Sequence, residues 1–170
     1  RALLVAAANP CACGAGGERC ECGPVARERY RDRLSGPLID RIDLVCQVGA
    51  LSATALAARS PAGERSAAVR ARVVAARERQ AARLGGCGPT CNGELGAAAT
   101  RALADGAGRA SAQLARALDA GLLTGRGHDR VLRVARTVAD LAGSATIEAE
   151  HVAEALAYRA TGGWSRGAAR

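Results

Sequence analysis

The chain has 170 residues, enough for one ordinary domain or for a small remnant of one domain followed by a helical one, and two units are expected. Its apolar content of 49% is carried by Ala, Leu and Val, with no Phe or Met and 2% aromatics, which argues against a thick sheet sandwich and for close-packed helices. The net charge is +8 and every basic side chain is Arg, so polyanions such as nucleic acid or nucleotide phosphate are the partners to consider, although a coding bias towards Arg on an ordinary solubilising surface gives the same count.

No apolar run reaches membrane-spanning length and residues 1–10 lack the layout of a signal peptide, so a cytoplasmic protein with no membrane partner is expected. In a reducing compartment the seven Cys argue for metal ligation before disulfides.

In chain order, residues 2–8 form a continuous apolar run ending at Asn9-Pro10, the pattern of a fully buried parallel strand. Such a strand needs neighbours, and a chain that starts on one reads as truncated. A Gly- and Cys-rich stretch, 11–24, precedes a charged helix over 25–34 and a Ser-Gly-Pro break at 35–37. Residues 44–48 suit a second buried strand, with Cys46 as a small core residue.

Everything beyond is helical in pattern. Residues 66–84 place Val69, Val73, Ala76 and Leu84 on one stripe, with Arg72, Arg79 and Arg83 beside it. A Gly/Pro/Cys break, 85–93, precedes an Ala-rich segment, 97–123, periodic around Leu103, Leu114 and Leu118 and interrupted at Gly106 and Gly108. Residues 125–127 read as a turn. From Asp129 to Leu141 the apolar stripe is Val131, Val134, Ala135, Val138 and Leu141, with Asp129/Arg133 and Arg136/Asp140 spaced as i,i+4 pairs. Thr146 is the expected cap of a last helix, 147–159, and the tail 161–170 reads as disordered.

Four features carry chemistry. Asn9 ends an apolar strand, where open α/β sheets bind ligands, and an amide there can orient a water or a phosphate oxygen; an Asn-Pro turn that only ends the strand is the commoner case. Cys11, Cys13, Cys20 and Cys22 form two Cys-x-Cys pairs across a Gly-rich loop, which can bring four thiolates round a structural zinc; redox chemistry or free thiols are the alternatives. Arg41 stands between Asp40 and Asp43 and can be aimed at a phosphate across a subunit boundary, or can be a surface ion pair. Arg126, Arg130, Arg133 and Thr137 share a helical face that suits phosphate or solvent. Cys87 and Cys91 read as incidental loop thiols, and His128 as a polar turn residue.

The segments Leu4-Val-Ala-Ala-Ala-Asn-Pro-Cys-Ala-Cys-Gly14, Arg29-Tyr-Arg-Asp-Arg-Leu-Ser-Gly-Pro-Leu-Ile-Asp-Arg-Ile-Asp43 and 123–143, in this order, resemble the ComM/YifB family of magnesium-chelatase-like AAA+ proteins. Gly63-Glu64 with Arg70, Arg72, Arg77 and Gln80 adds a weaker likeness. The resemblance implies a mainly α fold with a small α/β portion: the C-terminal part of an AAA+ αβα core with a Cys-rich insert over 1–50, a helical lid over 51–160, and a tail. It implies Asn9 as the sensor-1 residue, Arg41 as the arginine finger and Arg130 as the sensor-2 arginine, the two arginines acting on a neighbouring subunit's nucleotide. It also implies a Cys pair motif, ATP with Mg as substrate and ion, a ring-forming homo-oligomer, typically a hexamer, and DNA as the partner of a helicase that promotes branch migration in natural transformation.

The sequence departs from that pattern where it has no Gly-x-x-x-x-Gly-Lys-Ser/Thr and no apolar strand ending in Asp-Glu, so these residues bring no phosphate loop and no acidic magnesium ligands. Two other readings stand beside the motor: a zinc-stapled Arg-rich module that binds nucleic acid or a subunit, and a chelatase-type ATPase subunit.

Overall fold

The computed structural model describes residues 3–33, 38, 41–57, 63–86, 88–105 and 107–160, without the side chains of Ala55 and Ala160. The break at 35–37, Asp40, Cys87, Gly106 and the expected disordered tail with Trp164 lie outside the described residues. Contacts divide the chain into one unit built on Arg1–Ile42 and another on Asp43–Gly162.

In the first unit, residues 3–9 run without helix or ladder partner and their side chains are exposed, Leu3 at 90% and Val5 at 82%. The strand expected over 2–8 is therefore not buried: a parallel strand is held by neighbours on both sides, and the described residues supply none. The chain then turns through a one-turn 3-10 helix, Gly17–Arg19, into α1, Pro24–Asp32. The charged segment expected as a helix over 25–34 is helical to Asp32, and Pro24 opens it one residue earlier, at a position where a missing N–H costs nothing.

The second unit is helical. Its elements are α2 (Ala53–Ala57), α3 (Ser66–Leu84), a 3-10 turn (Asn92–Glu94), α4 (Ala97–Ala102), α5 (Gly108–Asp119), α6 (Gly125–Ala142) and α7 (Ala149–Ala160). Residues 44–51 form no helix, and no ladder among the described residues; Val48 is 93% exposed and Cys46 is exposed rather than in a core. Thus the fold is mainly helical, as expected, while the part assigned to sheet carries no strand among the described residues.

Helix α6 is the hub. It packs against α7, α3, α4, α5 and the 3-10 turn, and α5 also packs on α7. Its first turn is closed by Thr124, whose hydroxyl accepts from the Gly127 amide at 3.0 Å, so residues 125–127 are the start of the helix rather than a separate turn. Gly143, at φ +78°, ends it in the left-handed region that a side chain would resist. The core is Ala110, Leu114 and Ala117 of α5; Leu123; Val131, Leu132 and Ala135 of α6; and Ile147, Val152 and Ala155 around α7. Four of these ten, Leu114, Val131, Leu132 and Val152, are fully buried large side chains, and four are alanines, which lets the helices approach closely.

Several expected stripes rotate. On α3 the buried residues are Ala76 and Gln80, while Val69, Val73 and Val74 are 39%, 46% and 48% exposed. On α6, Leu132 and Ala139 are buried and Leu141 is not. The last helix starts at Ala149, and the Glu148 amide is taken by Nδ1 of buried His151 at 3.0 Å; Thr146 instead donates its hydroxyl to Glu148 Oε1.

Candidate functional site

The cysteine turn is built by tight backbone geometry. The Gly14 amide donates to the Cys11 carbonyl, and Gly16 sits at φ +63° with no room for a Cβ, which would lie 2.6 Å from Pro10 Cγ. These turns fold the two Cys-x-Cys pairs onto one another, and all four Sγ atoms lie within 4.8 Å of each other. Cys11 is buried, Cys13 exposed, and Cys20 and Cys22 half-buried. Cys11 Sγ is 3.2 Å from Cys13 Sγ and 3.4 Å from Cys20 Sγ, and Cys13 is 3.9 Å from Cys20.

A tetrahedron with metal–sulfur bonds near 2.3 Å has edges of roughly 3.8 Å, so the quartet is close to the size a single zinc needs. The thiols do not titrate alike. Hydrogen bonds from the Ala15 amide, the Cys11 thiol and the Glu21 amide bring Cys13 down to about 6. The Cys22 amide pulls Cys20 the same way, but the Cys11 thiol, burial and the other two thiols outweigh it and leave Cys20 at about 11. A divalent ion deprotonates each sulfur it binds, so all four Sγ atoms would bind as thiolates. The donor set fits zinc.

Asn9 is exposed beside this turn, its Nδ2 3.5 Å from where a Gly14 Cβ would stand. Arg41 is exposed in a turn in which its amide donates to the Leu38 carbonyl at 2.9 Å. Asn9 and Arg41 belong to the first unit and Arg130 to the second.

Arg130 lies in the second turn of α6 and donates from Nη1 to Asp43 Oδ1 at 2.7 Å. Its side chain is 20% exposed and that of Asp43 60%. Just beyond, the Val45 amide donates to the Tyr158 carbonyl of α7 at 3.0 Å, so both Arg130 and the α7 backbone hold residues 43–45 on the helical unit. Two other members of the anticipated phosphate stripe are used inwardly. Arg133 donates to the Leu95 carbonyl at 3.3 Å, and Thr137 donates to the Arg133 carbonyl and accepts from Asn92 Nδ2. The segment around Asn92 covers that half of the face, leaving Arg126 exposed.

Only half of the feature that dominates the electrostatics is visible in the sequence. Arg136 and Asp140 pair at 2.9 Å, with side chains 4% and 1% exposed, as their spacing predicts. Asp140 also accepts from Arg83 of α3 at 2.7 Å and from Asn92 at 2.9 Å. Arg136 donates to the Ala145 and Ser144 carbonyls, and Arg79 to the Asp140 carbonyl, so two arginines satisfy carbonyls at and beyond the C-terminus of α6. Burial works to raise Asp140, but hydrogen bonds from Arg83 and Asn92 and the charges of Arg136 and Arg83 hold it below the usual carboxylate range. Burial lowers Arg136, against the pull of Asp140. No buried side-chain polar atom is left without a partner among the described residues. The other expected pair is replaced: Asp129 faces Arg101 at 3.6 Å and His128 at 3.3 Å rather than Arg133.

The family model of the magnesium chelatase subunit ChlI C-terminal domain matches residues 63–159, and that of magnesium chelatase subunit ChlI matches residues 1–56. The chain belongs to the magnesium-chelatase-like ComM/YifB family. It is 44% identical over 163 residues to an uncharacterized protein of Mycobacterium tuberculosis (strain H37Rv), covering 95% of this chain and 32% of the relative. It is 38% identical to competence protein ComM of Haemophilus influenzae over 161 residues, 94% of this chain and 31% of ComM. It is also 38% identical to YifB of Escherichia coli over 166 residues, 94% of this chain and 31% of YifB. The chain therefore spans about a third of the length of the curated relatives it matches. Among the described residues no helix is long and apolar enough to cross a membrane.

Proposed function

We propose that this chain supplies the lid and the phosphate-facing arginines of a cytoplasmic ATP-driven motor that works on DNA, as a ComM-like helicase of natural transformation. The similarity to competence protein ComM along 94% of the chain carries this reading. The all-Arg charge of +8 supports a polyanionic partner.

In this reading ATP, with Mg, is the substrate. Asn9 orients the attacking water or the terminal phosphate through its uncharged amide. Arg41 stabilises charge that develops on the transferred phosphoryl group of a neighbouring subunit, and Arg130 contacts the phosphates from the lid. A finger that acts across a boundary requires a ring of like chains, for which a hexamer is the expected form. Cys11, Cys13, Cys20 and Cys22 would hold a structural zinc, whose chemistry there is to cross-link the turn rather than to polarise a substrate. The close Sγ cluster supports a second reading, in which the zinc-stapled unit serves as a binding module without hydrolysis.

The test uses a full-length relative. Replacing Arg by Ala at the position of Arg41 is expected to lower ATP turnover about 10³-fold with little change in nucleotide binding, because a finger acts on the transition state. Rings mixed from Arg41→Ala subunits and subunits lacking the phosphate-loop lysine should regain activity at interfaces that pair an intact site with an intact finger. No recovery in assembled rings removes the trans role and leaves Arg41 as a surface ion pair.

A further inference from the structure

We propose that the Asp43 carboxylate is an exchangeable occupant of Arg130, a stand-in for nucleoside triphosphate phosphate whose displacement frees residues 43–45 from the helical unit. This inference rests on the reading of Arg130 as a phosphate contact and adds Asp43 as its positioning residue. The geometry has three parts. Arg130 is largely enclosed and is presented on a rigid, capped helix, so its direction is fixed before any ligand arrives. Asp43 sits at a bend before a segment that is neither helix nor strand, is three-fifths exposed and offers one oxygen to one guanidinium nitrogen, Oδ1 to Nη1 at 2.7 Å. The same segment is also held two residues on, where the Val45 amide meets the Tyr158 carbonyl.

A solvent-accessible ion pair of this kind is weak, and a triphosphate carries more charge and can take the guanidinium through two oxygens at once. Phosphate and Asp43 therefore compete for one group, and by linkage whatever the carboxylate holds in place is loosened when phosphate binds. The pair keeps the guanidinium oriented and neutralised in the absence of nucleotide. It also makes the hold on residues 43–45 a reporter of occupancy.

The experiment follows two backbone and side-chain signals of the intact chain by NMR: exchange of the Val45 amide and the Arg130 Nε–H resonance. Tripolyphosphate, added against sodium chloride of equal ionic strength, is expected to shift the Arg130 signal and to speed Val45 exchange. In Asp43→Asn, Val45 should exchange fast without phosphate, and tripolyphosphate should bind about two- to fivefold more tightly at Arg130. Asp43→Glu should restore both the slow exchange and the weaker binding, and Arg130→Gln should abolish the response. An Arg130 shift with Val45 unmoved and no gain in Asp43→Asn would overturn the exchange while leaving Arg130 as a phosphate contact. No response at Arg130 in any variant would overturn both. A response to a short DNA duplex but not to tripolyphosphate would assign the arginine to a nucleic-acid backbone and overturn the nucleotide proposal.

Discussion

From Asp43 onward, Leu114, Val131, Leu132 and Val152 are closed off by neighbouring helices, and the buried Arg136 and the partly exposed Arg83 converge on Asp140; before it, Cys11 is the one buried residue among those described. The helical unit has an apolar core of its own together with a satisfied ion cluster. The described residues of the cysteine unit supply glycine turns, a one-turn 3-10 helix, the short α1 and four thiols. A segment with so little apolar burial cannot offset its conformational entropy by packing, so its order must come from a cross-link or from surfaces contributed by other residues. The two units should therefore respond to different perturbations.

The largest separation is expected on removing metal. Structural zinc in small Cys sites contributes apparent free energies of about 10–16 kcal/mol near neutral pH, far more than any contact in this unit. Purified without chelator, the chain should carry close to one zinc, and Cys20→Ser/Cys22→Ser should carry almost none. Amide protection over residues 10–23 should vanish with it, and melting of the helical unit should not move. Equal zinc in both proteins would show that the thiol cluster is not a metal site.

Asp140→Ala should do the reverse. It leaves Arg136 buried without its carboxylate and strips Arg83 and Asn92 of a shared acceptor, a change of about 3–5 kcal/mol for a broken buried pair. Zinc content should stay the same. Replacing Arg136 and Asp140 together by Met and Leu should recover part of the loss, since the stranded charge is then gone. A denaturation midpoint unchanged in Asp140→Ala would mean that the cluster is not closed in solution.

The same residue sets an acid limit. Its folded pKa is depressed, so the stability it contributes is present above the unfolded carboxylate value, about 3.9, and is lost as pH falls through the lower folded value. The helical unit should weaken below about pH 4, and Asp140→Asn should flatten that dependence in urea titrations. An equally steep acid transition in the variant would point to other carboxylates.

The difference between the units also explains what could be read without a structure. Helix α3 is legible to the residue, because its apolar and polar periods, its start at Ser66 and the glycine after Leu84 are all local signals. Which face it buries is not legible. Arg79 and Arg83 turn towards Asp140, about sixty positions on, and no local period encodes such a partner. Asn92 sits in a stretch that reads as a break, yet its side chain meets Thr137 and Asp140. Conversely, the cysteine cluster is legible because both pairs fall within twelve residues and the glycines between them can only turn. The expected strands fail for the opposite reason: apolar runs such as 3–8 and 44–48 specify a strand only together with a ladder, and the described residues contain none.

The smallest effect tests whether the rigid presentation of Arg130 depends on local capping. Thr124 precedes α6, and its hydroxyl is the acceptor for the Gly127 amide, one of the N–H groups that the helix itself cannot satisfy. Thr124→Ala should cost about 1 kcal/mol, within the usual 0.5–2 kcal/mol for a lost cap, and should fray only the first turn. The core residues Val131, Leu132 and Ala135 begin one turn later and should hold the rest of the helix in place. Thr124→Ser retains the acceptor and should restore most of the loss, whereas Thr124→Val retains the shape without the acceptor and should not. Amide exchange should rise at Gly127 and His128 and be unchanged from Val134 onward. If protection falls along the whole of α6, its order depends on the cap rather than on the core, and the helical unit is less self-sufficient than its packing implies.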